Sequence, residues 1–101
     1  MPVTLGNLPN YEAFAVSVAG VFRLKFESGE VLELTLAEAT PMRGGRPGGR
    51  KPFSLMFRAA AGVYFPQGIY RLEHDTLGAM ELFLVPIAPD GQGSRFEAVF
   101  G

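Results

Sequence analysis

The sequence contains no cysteine and no tryptophan, and it has one histidine among 101 residues. Without cysteine there is no disulfide framework and no thiolate metal cluster, so a domain of this size must hold together through its core alone. The same absence fits a reducing, cytoplasmic setting. One histidine leaves only an oxygen-rich metal site open, and no Asp/Asn-rich loop of the calcium-binding type occurs. No metal and no cofactor is therefore expected. No apolar run approaches the ~20 residues that a membrane-spanning helix needs. The N-terminus has neither a basic leader nor a long apolar core, so it does not read as a signal peptide. Strong charge is missing too: the net charge is −1, which predicts no broad attraction to nucleic acid or anionic lipid.

What the chain does have is apolar mass. Hydrophobic residues make up 48%, including nine phenylalanines, enough for one core and an argument against disorder. Two cores in so short a chain would each be too small, so residues 1–101 read as a single β domain. Charge is unevenly spread. Arg43, Arg46, Arg50, Lys51 and Arg58 fall between residues 41 and 60 with no acid among them, while both flanks are acidic.

Residues 1–20 are the least legible. Pro9 is tolerated in a first helical turn, so residues 8–14 predict one or two turns with Tyr11, Phe14 and Val18 on one face. Val16 and Val18 favour strand and keep that helix short. Gly20 marks the entry to the first strand. Residues 21–27 and 30–39 then alternate as a hairpin, with Phe22, Leu24 and Phe26 facing one way and Leu32, Leu34 and Leu36 joining them. A two-residue turn would set Lys25 against Leu32 and put a charge in the core. A three-residue loop, Glu27-Ser28-Gly29, pairs Leu24 with Leu32, Phe22 with Leu34 and Arg23 with Glu33, and places Gly29 where a G1 bulge needs a positive φ.

Residues 41–51 carry four glycines and two prolines and predict a flexible loop. A strand over 53–58 follows, with Phe53, Leu55 and Phe57 inward, then a connection over 59–66 ending in Tyr64-Phe65. Residues 68–86 form a second hairpin. With Asp75-Thr76-Leu77 as its loop and Gly78 closing it, Leu72 faces Met80, Tyr70 faces Leu82, and Arg71 meets Glu81 on the solvent side. Pro86 lacks a donor and is expected to end the strand. After a turn at 89–93, residues 95–100 make a last strand with Phe96, Ala98 and Phe100 inward. Six strands and one short N-terminal helix make an all-β domain, either a small six-stranded antiparallel barrel or a two-layer sandwich, since a single sheet would leave its apolar face wet.

Catalytic chemistry finds little support. His74 shares a face with Tyr70 and Leu72 at a strand end, and reads as a hydrogen-bonded histidine at a barrel rim rather than a base. No serine or cysteine sits in a nucleophile motif. Every acid except Glu38 and Asp90 lies where alternation or a turn turns it to solvent. The Gly-rich stretch with Arg43, Arg46, Arg50 and Lys51 resembles segments that bind phosphate backbones by charge and flexibility. It lacks interleaved aromatics and the Gly-Lys-Ser/Thr ending of a phosphate loop, so a solvated loop is favoured, contact of these four residues with a protein partner or an anion comes second, and nucleic acid last. Val31, Met56, Phe83 and Val85 fall opposite the core stripes, either covered by other segments or exposed as a contact surface.

A resemblance supports one complete domain. Pro52-Phe53-Ser54-Leu55 with Phe57-Arg58, Pro66-Gln67-Gly68 with Tyr70-Arg71-Leu72-Glu73-His74, Leu77-Gly78, Leu82-Phe83-Leu84-Val85-Pro86 and Phe96-Glu97-Ala98-Val99-Phe100, together with Phe14 and the first hairpin, resemble a family of small bacterial proteins classed as a domain of unknown function. Departures are slight, with Ala59-Ala60-Ala61 in place of a Gly-Pro bend and Phe96 in place of tyrosine. The resemblance implies a bacterial origin and carries over no catalytic residue. The expected function is a non-enzymatic β module working through protein contact, as a homo-oligomer or within a larger assembly, with no membrane. The alternative is a small-molecule or anion binder at one barrel mouth, with Arg58, Arg71 and His74 near it.

Overall fold

A computed structural model of the chain describes residues 9–44 and 51–100. A short helix, α1 (Tyr11–Ala15), precedes six strands: β1 (Val21–Lys25), β2 (Val31–Pro41), β3 (Phe53–Ala59), β4 (Gly68–His74), β5 (Gly78–Ile87) and β6 (Ser94–Phe100). They close into an antiparallel barrel in the order β1-β2-β3-β6-β5-β4. Closure removes the free sheet edges and lets one face of every strand share a single interior.

Both hairpins take the registers that side-chain parity demands. Phe22 pairs with Leu34, Arg23 with Glu33 and Leu24 with Leu32 in the first; Tyr70 pairs with Leu82, Arg71 with Glu81 and Leu72 with Met80 in the second. Gly29 has φ 97°, the left-handed conformation that a β-carbon would disfavour. Leu24, Leu34, Leu36, Leu55, Phe57, Leu72, Met80 and Leu84 are buried inside. Each such side chain contributes roughly 1.5–3 kcal/mol by leaving water.

Four expectations need correction. The helix ends at Ala15, so Val18 lies beyond it and is exposed, while Phe14 is fully buried. Pro9 lies outside the first turn, because Asn10 caps the helix, its side chain accepting from the Ala13 amide at 2.9 Å. Residue 41 is strand rather than loop: β2 runs to Pro41, which pairs with Phe53. Pro86 does not end β5, which continues to Ile87. Pairing with β4 finishes at Gly68 and Leu84, while Val85, Pro86 and Ile87 pair with β6. One edge of the strand is thus unpaired at Pro86, and a missing donor costs no ladder bond on that side.

A bulge in β2 settles where Glu38 points. Simple alternation from Leu36 would turn it inward. The register shifts by one residue between Leu36 and Glu38, so that Glu38 pairs with Met56 and Ala39 with Leu55. The inserted Ala37 flips the parity and keeps the carboxylate outside.

The ring order also decides how the ends are closed. Strands β3 and β4 are consecutive in sequence but lie opposite each other in the ring, so residues 60–67 must cross one mouth. They carry Phe65 over it, and Phe65 stacks on Phe96 with ring centroids 3.9 Å apart. At the other mouth α1 sets Phe14 against Phe22, Phe53 and Phe100, with centroids 5.6–6.3 Å apart.

Candidate functional site

The residues singled out in the sequence are scattered rather than convergent. Arg58 points outward from β3 and Arg71 outward from β4, on opposite sides of the ring. Arg71 bonds Glu73 on its own strand at 3.4 Å rather than closing the cross-strand pair with Glu81, although the two are in register. His74 lies at the helix end, its ring 4.5 Å from that of Phe22. Its Nδ1 accepts from the Thr76 and Leu77 amides, both at 3.1 Å, which caps the hairpin loop and sets the proton on Nε2. Arg43 and Lys51 are exposed on the two sides of the basic loop. Arg46 and Arg50 lie outside the described residues.

A single barrel mouth holding Arg58, Arg71 and His74 is therefore not formed, because Phe14 closes one mouth and Phe65 the other. The concave site sits outside, at the loop end. Residues 61–64 and 86–96 flank an open cleft of about 800 Å³. Buried Phe96 forms its floor, Pro86, Ile87 and Val63 its apolar walls, and Tyr64 its lip. Tyr64 is 72% exposed. On its other side a second cleft of about 520 Å³ runs between Val63, Tyr64, Phe26, Val31 and Glu30. Tyr64 is thus a ridge between two apolar hollows.

The polar wall of the larger cleft is built around Asp90. Arg58 and Arg95 face each other across β3 and β6, an unfavourable like-charged pair. Asp90 folds back over both. Its two oxygens accept from the Arg58 guanidinium at 2.7 and 2.6 Å, and Arg95 approaches at 4.0 Å. The same carboxylate accepts from the Gln92 amide at 3.0 Å, and Arg95 donates twice to the Ala88 carbonyl, at 3.0 and 2.7 Å. The Arg58 bonds first, and then the Gln92 amide, hold the Asp90 carboxyl well below the usual carboxylate range. Gly93 completes the corner, since a β-carbon there would collide with the Ala59 carbonyl oxygen.

An aspartate kept ionised by a bidentate arginine is poorly suited to proton transfer near neutral pH. Among the described residues no group of three or more His, Asp or Glu side chains is placed to hold a metal ion. No helix among them is long and apolar enough to cross a membrane.

Sequence reasoning missed Val63, Tyr64 and Ile87. The available signal was the Tyr64-Phe65 pair: adjacent aromatics in a short connection cannot both face inward, so one must be displayed. Asp90 stood out as an acid whose orientation alternation did not explain, and it proves to be the hub of the polar wall.

A family model described as a domain of unknown function, DUF6916, matches residues 9–100. No curated protein matches the chain, and no solved structure does.

Proposed function

As the chain belongs to the DUF6916 family, we propose from its geometry that it is a non-enzymatic binding module that takes an extended segment of a partner protein across Tyr64. The observation that carries this reading is the pair of hollows on either side of one exposed aromatic ridge. An extended chain sends alternate side chains to opposite sides, so neighbouring pockets separated by a ridge suit it. The second hollow is lined by Glu30 with no cation among its walls, which favours a segment that is apolar over Ile87 and Phe96 and basic at the Glu30 end. The cytoplasmic setting, bacterial origin and place in a larger assembly expected from the sequence belong to the same reading.

A second reading is a small apolar ligand in the larger hollow, since about 800 Å³ lies within the range of small-molecule sites. Native mass spectrometry of protein purified from its source distinguishes the two, because a retained small ligand adds a fixed mass. The main test replaces Tyr64 with a photo-crosslinking phenylalanine and, as a control, does the same at Val99. The expected result is a discrete protein adduct from position 64 alone, abolished by Ile87→Asp. A synthetic peptide of the captured segment should then bind the pure protein and lose tenfold or more in affinity on Tyr64→Ala. Equal adducts from position 99, or a captured segment that binds Tyr64→Ala unchanged, overturns the proposal.

A further inference from the structure

The outer face of β4 and β5 displays two large apolar residues side by side. Ile69 and Phe83 are directly paired and are 69% and 51% exposed. One step along the strands, Arg71 and Glu81 are also paired. Their charges stay apart, since Arg71 turns to Glu73 and Glu81 is in no ion pair among the described residues. Leaving two large apolar groups in water beside an unpaired Glu81 carboxylate is a costly way to finish a surface, unless something covers it.

We propose that this face binds a second copy of the chain in an isologous dimer, with the two-fold axis parallel to the strands and midway between β4 and β5. The register dictates that choice. Such an axis exchanges the two strands while keeping each residue at its height along them. Ile69 then meets Phe83 of the second copy, Arg71 meets Glu81 of the second copy, and both contacts occur twice. Apolar faces apolar, and cation faces anion, with no like-charged contact between these four positions. An axis along the middle of β4 would instead stack Arg71 on itself. The flanking ion pair of Lys25 with Glu73, at 3.1 Å, lies on the β1 side and forms a polar rim. This face lies on the barrel wall and leaves the Tyr64 cleft at the barrel end open, so the dimer stands independently of the binding reading above.

Charge exchange tests the inference directly. Sedimentation equilibrium of the full chain should show a monomer–dimer equilibrium that Phe83→Arg shifts at least tenfold toward monomer. Arg71→Glu and Glu81→Arg should each weaken self-association, because each sets two like charges across the axis. A one-to-one mixture of those two single variants should restore association, since every contact across the axis is again between opposite charges. Their unchanged far-UV spectra report that all three variants fold, as expected of exposed positions. A chain that stays monomeric at millimolar concentration, a dimer indifferent to Phe83→Arg, or a mixture no more associated than its components overturns the proposal.

Discussion

The two ends of the barrel are stoppered by a phenylalanine each, yet only one of them is finished as a surface. At the helix end Phe14 is fully buried among Phe22, Phe53 and Phe100, with Tyr11 edge-on to Phe53. At the loop end Phe65 stacks on Phe96 and meets Tyr70 and Phe26 edge-on, but its neighbour Tyr64 stands out in solvent with a hollow on each side. A helix brings its own hydrogen bonds and can bury one side chain per turn without opening the surface. A connection forced across a mouth satisfies its backbone only where it can, and its alternating side chains go down and up. The loop end is concave because the strand order made a loop cross there.

The largest effect should come from removing the two stoppers. Phe14→Ala leaves an enclosed void that cannot collapse and is expected to cost about 3–5 kcal/mol. Phe65→Ala opens its void into the adjoining cleft, where water and the loop can partly fill it, and is expected to cost roughly 2–3 kcal/mol. Urea unfolding of both variants checks the order. Equal losses would mean that the loop end is as closed as the helix end, and the contrast between them would fail.

How much of this was legible in the sequence follows from which physical rules act locally. The hairpin registers were, because a wrong parity would have buried Lys25 in the first, and a two-residue slip of the right parity would have set Glu73 against Glu81 in the second. The inward stripe of Phe53, Leu55 and Phe57 was equally plain. The barrel's ring order was not, since pairing between β3 and β6 or β1 and β4 leaves no mark on the turn residues. Everything that depends on it was hidden as well: the crossing of residues 60–67, the approach of Asp90 to Arg58, and the cleft between residues 61–64 and 86–96. The Ala37 bulge was hidden for another reason, because an inserted alanine looks like ordinary strand until the facing register is known. His74, by contrast, lies at the barrel rim that alternation assigned it.

A smaller effect should distinguish the helix end by its histidine. His74 Nδ1 takes both the Thr76 and Leu77 amides, and the ring lies against Phe22. His74→Ala releases both donors and the ring contact, for a loss of about 1–2 kcal/mol, since water reaches the exposed amide. His74→Asn offers an acceptor at nearly the same place and should recover part of that loss while giving up the ring contact. For a domain of this size 1 kcal/mol corresponds to roughly 4–8 °C in Tm, so calorimetry resolves the three proteins. No difference between the alanine and asparagine variants would remove the capping role and leave only the stacking.

The loop end should be distinguished by its response to acid. The Asp90 carboxyl is held well below its usual range, chiefly by the Arg58 guanidinium. In the unfolded chain an aspartate takes up its proton near pH 4. Between that pH and the lower folded value the unfolded state binds more protons, so stability rises with pH across this window. The contribution is fully present above about pH 5 and is lost as pH falls through 4 and below. Glu73 is depressed in the same direction, first by its hydrogen bond to Lys25 and then by Arg71, so the wall of the barrel adds a term of the same sign. Asp90→Asn keeps an acceptor for the Gln92 amide but leaves Arg58 and Arg95 opposed without the carboxylate that lies over both. It should lower the urea midpoint at pH 7 and flatten its fall between pH 5 and 3, whereas Glu73→Gln should change both less. If the two substitutions flatten the curve equally, Asp90 is no more than another surface carboxylate, and the wall of the cleft is held by Arg95 and the Ala88 carbonyl alone.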